Sequence, residues 1–82
     1  MEWVEDIVLD FINKKFKQSK GSTELEKANE VYEYITSKSA IELSDELKNT
    51  KYDINYTRKY AVSAAYQLMG KCLWRMTCGK KS

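Results

Sequence analysis

Proline is absent from this 82-residue chain, and glycine occurs only at positions 21, 70 and 79. Proline breaks helices and glycine loosens them, so a chain this poor in both favours long helices over a turn-rich sheet. The 43% hydrophobic and 12% aromatic content argues against disorder and for one small domain spanning residues 1–82. A domain of this size buries a limited share of its surface, so it needs an efficient core, a covalent staple or a partner. The expected fold class is mainly all-α: a four-helix core with a possible short C-terminal strand.

Helical periodicity locates the elements. Over residues 2–18, Trp3, Ile7 and Phe11 form one i,i+4 row, and Val4, Val8, Ile12 and Phe16 form the next. Leu9 widens this apolar arc, which either packs into the domain or serves a dimer contact. Lys20-Gly21-Ser22 reads as a break, and Thr23 to Glu26 has capping-box spacing. The second helix is expected from Glu24 to Ser37, burying Leu25, Ala28, Val31, Tyr32 and Ile35 and turning Tyr34 outward. Ser39 and Glu42 cap a third, short helix through Leu43, Leu47 and Lys48, and Asn49 to Asp53 is a polar loop. The fourth helix, capped by Asp53 or Asn55, is expected to bury Ala61, Ala64, Ala65, Leu68, Met69 and Cys72. Gly70 marks either a close approach or the helix's end. Leu73 to Cys78 alternates in a strand-like way, with helix continuation as the other reading. Residues 79–82 are expected to be a flexible tail.

Charge is distributed unevenly. Residues 1–41 carry eight acids and six bases, whereas residues 42–82 carry four acids and eight bases. No acid occurs from Ile54 to Ser82. Such polarity either steers an anionic partner to one end or is simply a solvated surface. No run is long enough to cross a bilayer, and the acidic start is unlike a secretory signal, so the expected location is cytoplasmic, without membrane association. Histidine is absent, which removes the usual base for a Ser or Cys nucleophile and leaves Cys72 and Cys78 without companions for a zinc site. A disulfide between them requires the helix to end in between. There is no glycine-rich phosphate loop. The chain therefore reads as a non-enzyme with no metal and no cofactor.

On the fourth helix, the face opposite the apolar one carries Tyr56, Lys59, Tyr60, Ser63 and Gln67, with Tyr66 at its edge. Placed in a major groove, Gln67 pairs with adenine, Lys59 with guanine or phosphate, and Ser63 with a base edge or phosphate. Arg58, nearer the buried side, reaches either backbone phosphate or an acid such as Asp45 or Glu46. Lys71 and Arg75, with Lys80 and Lys81 beyond them, supply nonspecific phosphate contacts or merely solubility. The same tyrosines, with Trp74, equally suit a protein-binding face. Trp3, Leu9 and Phe11 offer a homodimer contact through the first helix.

The order AIELSDELKN, then NYTRKYAVSAAYQLMG, then KCLWRM, resembles the scaffold helix, recognition helix and first wing strand of the winged helix-turn-helix group. The resemblance covers about half the chain, and it implies a small regulatory protein that binds double-stranded DNA. Two departures stand out: the connection from Asn49 to Asn55 exceeds the tightest turns of that group, and too little chain follows Cys78 for a returning wing strand. The alternative reading is a non-enzymatic adaptor or inhibitor that grips another protein through its tyrosine-rich helical face.

Overall fold

The computed structural model describes residues 3–48 and 52–78, the side chains of Thr77 and Cys78 excepted. Four helices follow in order: α1 (Val4–Gln18), α2 (Glu24–Thr36), α3 (Ala40–Glu46) and α4 (Ile54–Cys78). The tail expected at 79–82 and residues 49–51 of the expected loop lie outside the described residues.

Local chemistry sets the helix ends. Thr23 Oγ1 accepts from the Glu26 N–H at 3.1 Å, while the Glu26 carboxylate turns back to the Ser22 N–H and hydroxyl, both at 2.9 Å. Those Ser22 bonds hold the Glu26 carboxyl below its ordinary pKa. Ser39 and Glu42 complete a reciprocal capping box at α3, with the Ser39 N–H donating to Glu42 at 2.9 Å and the Glu42 N–H donating to Ser39 at 3.2 Å. Asp53, rather than Asn55, caps α4: its Oδ1 accepts from the Asn55 N–H at 2.7 Å and from the Tyr56 N–H at 3.0 Å.

The core draws on every helix. Val4, Val8 and Ile12 from α1 meet Val31 and Ile35 from α2, Leu43 and Leu47 at α3, and Ala61 and Ala65 from α4. Thus one expected α1 row is the buried one, while Trp3 in the other row is 60% exposed. Leu25, Tyr32, Ala64, Leu68 and Met69, expected inside, are only half-buried. The fully buried alanines give α4 a narrow face on which neighbouring helices pack closely. Contacts at its two ends fix direction. Arg75 meets Glu24, and Arg58 meets the last turn of α2, so α2 runs antiparallel to α4.

Three expectations need correction. Leu73–Cys78 is helix, not strand, and no strand occurs among the described residues, so there is no wing there. The alternation is real, but a strand needs a neighbour for its backbone groups, whereas α4 satisfies them internally. Gly70 does not end α4, which runs on to Cys78, and apart from its chain neighbours and the helix's own nearby backbone no described atom lies within 4 Å of a Cβ placed on it. Tyr34 does not project freely. It is half-buried, packs edge-on against Phe11 with ring centroids 6.2 Å apart, and donates its hydroxyl proton to Glu46. Lys15 Nζ sits 4.1 Å from the Tyr34 ring centre.

Candidate functional site

The candidate site residues all lie on α4, but the fold divides them into three groups. The first serves the fold itself. Arg58 Nε donates to the Lys38 carbonyl at 2.9 Å and Nη2 donates to the Thr36 carbonyl at 3.3 Å. The last carbonyls of a helix lack intrahelical partners and carry the negative end of its dipole, which suits a guanidinium. Among the described residues Arg58 therefore pairs with no carboxylate, and it is half-buried rather than outward. Arg75 forms a 2.9 Å ion pair with Glu24, tying the late part of α4 to the start of α2.

A second group gathers along α1. Tyr60, Ser63, Gln67 and Lys71 share an open groove of about 330 Å³ with Leu9, Ile12 and Asn13. At its N-terminal end Tyr56 donates its hydroxyl proton to Glu5 at 2.9 Å, and its ring stacks on that of Tyr60 at 6.3 Å and 24°. The Glu5 hydrogen bond is the main reason the Tyr56 hydroxyl titrates above its ordinary range. Glu5 thus places one negative charge beside the N-terminal end of this stripe.

The third group faces outward. Lys59 is exposed, and among the described residues neither it nor Lys71 forms an ion pair. Tyr66 is 66% exposed, with its ring 6.2 Å from that of Tyr32. Further along, Trp74 is 68% and Leu73 49% exposed. Around the edge, Leu25, Met69 and Leu73 line a largely apolar groove of about 410 Å³, rimmed by Glu26 and Asn29. The signal for this apolar region is the i,i+4,i+7 spacing of Met69, Leu73 and Met76, obscured by the strand-like alternation of the same residues.

Among the described residues no three Cys, Asp or Glu side chains are placed to hold a metal ion. Cys72 is buried, unbridged, and held above the ordinary thiol pKa chiefly by that burial, so it has little thiolate character. Uninterrupted helix sets residues 72 and 78 about 9 Å apart along the axis, beyond the reach of a disulfide. Among the described residues no helix is long and apolar enough to cross a membrane. No family model, curated protein or solved structure matches this chain.

Proposed function

We propose that this chain is a non-enzymatic protein-binding module and that the outward face of α4 is its docking surface. The observation that carries this reading is the exposure of Tyr66 and Trp74, at 66% and 68%, on a helix without a single carboxylate. Interface centres are depleted of charge and enriched in aromatic residues, and Tyr and Trp dominate their energetics. Two of the four cations on α4, Arg58 and Arg75, are engaged within the fold, which leaves the face less basic than its sequence suggests.

The test compares immobilised wild-type chain with a Tyr66→Ala/Trp74→Ala form and a Lys59→Ala/Lys71→Ala form in capture of proteins from a source lysate. Loss of the same captured protein from the aromatic double variant alone, with binding that tolerates moderate salt, supports the reading. Capture that depends on the lysines and collapses with salt goes against it.

A second reading, a regulatory protein that binds duplex DNA with α4 as recognition helix, is favoured by a different observation. Ser63, Gln67 and Lys71 share one groove edge on an acid-free helix. Here Gln67 and Ser63 read base edges while Lys59 and Lys71 hold phosphate. With about two lysines on phosphate, the logarithmic salt slope is about −2. A mixed-sequence duplex titrated at low and moderate salt tests it. Absence of binding at low salt, or binding unaffected by Lys59→Ala with Gln67→Ala, rejects it.

A further inference from the structure

The groove of about 330 Å³ between α1 and α4 is lined by neither Tyr66 nor Trp74, so it is a surface apart from the outward aromatic face. Its floor is apolar, made by Leu9 and Ile12 of α1 and Ala64 and Leu68 of α4. Leu9 is left 43% exposed there. Its walls are polar. Asn13, Tyr60, Ser63 and Gln67 bring two amides and two hydroxyls, and Lys71 is the one charged residue among those lining it. Small-molecule sites are typically apolar clefts of roughly 300–1,000 Å³ with a few convergent polar groups. This groove meets that description at the small end.

Its polar groups are not used by the fold. Among the described residues, the side chains of Asn13, Ser63, Gln67 and Lys71 and the Tyr60 hydroxyl make no hydrogen bond or ion pair with another protein group. The nearby acids of α1, by contrast, are engaged. Glu5 accepts from the Tyr56 hydroxyl at 2.9 Å, and Asp10 pairs with Lys14 at 3.1 Å. Glu5 and Tyr56 meet near the start of both helices, while Asn13 shares the groove with Gln67 and Lys71, so α1 and α4 run in the same direction. Tyr56 and Lys71 stand about 22 Å apart along α4. The groove is therefore graded, with a carboxylate beyond one end and an ammonium at the other. Lys17, one turn past Asn13 on the same row of α1, is exposed and adds to the positive end.

We propose that this groove binds a small amphipathic carboxylic acid, with its apolar body on the Leu9, Ile12, Ala64 and Leu68 floor and its carboxylate at Lys71. Charge complementarity selects the head group. A carboxylate gains a charge-assisted hydrogen bond from the ammonium, and Gln67, one turn earlier on the same face, adds an amide donor. A neutral head forgoes the charge, and a cationic head meets repulsion. Lysine presents a point charge rather than a fork, which suits a single anionic group. The proposal goes beyond protein docking on the outward face and stands or falls without it.

The groove is open, so affinity is modest, with a dissociation constant of about 0.1–1 mM. Lys71 is exposed and its attraction is screened, so the carboxylate is worth about two- to fivefold in affinity.

Nitrogen–proton correlation NMR of the intact chain tests the proposal, by titration into the millimolar range with naphthoate, naphthamide and naphthylmethylammonium. These probes share one apolar body and differ in head group. Naphthoate is expected to shift the signals of Leu9, Asn13, Ser63 and Gln67, and to bind about two- to fivefold tighter than naphthamide. Naphthylmethylammonium binds weakest. Lys71→Gln changes an exposed side chain and keeps the fold, verified by circular dichroism, and it makes naphthoate and naphthamide bind alike. Lys48→Gln removes the same charge from a residue lining a different groove and leaves the preference intact. Absence of shifts with millimolar naphthoate, or shifts centred outside the groove, overturns the proposal. A carboxylate preference that persists in Lys71→Gln does so too. Equal binding of naphthoate and naphthamide to the wild type also overturns it, and that comparison depends on no variant.

Discussion

Arg58 of α4 reaches across to the turn that follows α2, donating from Nε to the Lys38 carbonyl at 2.9 Å. A second bond, from Nη2 to the Thr36 carbonyl at 3.3 Å, makes the guanidinium a side-chain cap delivered from another helix. Charged hydrogen bonds of this kind contribute about 1.5–3 kcal/mol. Arg58→Met keeps the aliphatic stem and removes both bonds, and it is expected to lower the stability measured by urea unfolding by about that amount. Arg58→Lys recovers little, because an ammonium lacks the planar fork that spans two carbonyls. A loss below about 0.5 kcal/mol, well under the charged-bond range, contradicts the capping role.

Tyr34 donates to Glu46, and that bond, aided by burial and by the carboxylate's charge, pushes the Tyr34 hydroxyl up to about 12. The sign follows from linkage. A folded pKa above the unfolded value, near 10, means that the folded state holds its proton longer. The stabilisation is fully present below pH 10 and is lost as the pH rises toward 12. Absorbance titration should therefore show a late-ionising component that loses one tyrosine in Tyr34→Phe, while Tyr56, also raised by its bond to Glu5, stays within it. The stability of Tyr34→Phe should fall less steeply than that of wild type between pH 10 and 12. An unchanged late phase in Tyr34→Phe rules out this assignment.

What the sequence makes legible here is what is encoded locally. The apolar row Val4-Val8-Ile12 and the caps Thr23 and Ser39 each announce themselves within a few residues, and the helices form where those signals lie. Leu73–Cys78 is harder, because alternation suits a strand while Met69, Leu73 and Met76 suit a helix. The deciding factor, a neighbouring strand, is not local. Arg58 is harder still. Its partners are backbone carbonyls twenty and more residues away, and a carbonyl has no sequence signature. The helix that carries the candidate residues was legible, but not how the fold divides them, because tertiary contacts decide which cations remain outward.

Lys48 follows the last turn of α3 with φ of 55°, and its N–H donates to the Asp45 carbonyl at 3.1 Å. This is the left-handed position that ends many helices, where a side chain is strained and glycine is not. Lys48→Gly is expected to raise stability by about 0.5–1 kcal/mol, relief of strain outweighing the added freedom of the unfolded chain. For a domain of this size that is a rise in Tm of roughly 2–8 °C. Lys48→Ala, which keeps the strain, gains nothing. Equal effects of the two substitutions in thermal unfolding would remove backbone strain as the cause.

Gly21 and Gly70 predict opposite responses to the same substitution. A Cβ at position 21 meets the Glu26 Cβ at 2.7 Å and the Lys27 backbone nitrogen at 2.9 Å. Neither neighbour is the end of a flexible side chain, so the first turn of α2 has to shift. Gly21→Ala is expected to cost about 1–3 kcal/mol, the range for overpacking a close contact. At position 70 the same methyl group meets no described atom within 4 Å beyond its chain neighbours and the helix's own nearby backbone. There it improves helix propensity and stabilises the chain by about 0.5–1 kcal/mol. Both are read by urea unfolding. A destabilised Gly70→Ala chain would mean that the space above Gly70 is filled from within the chain.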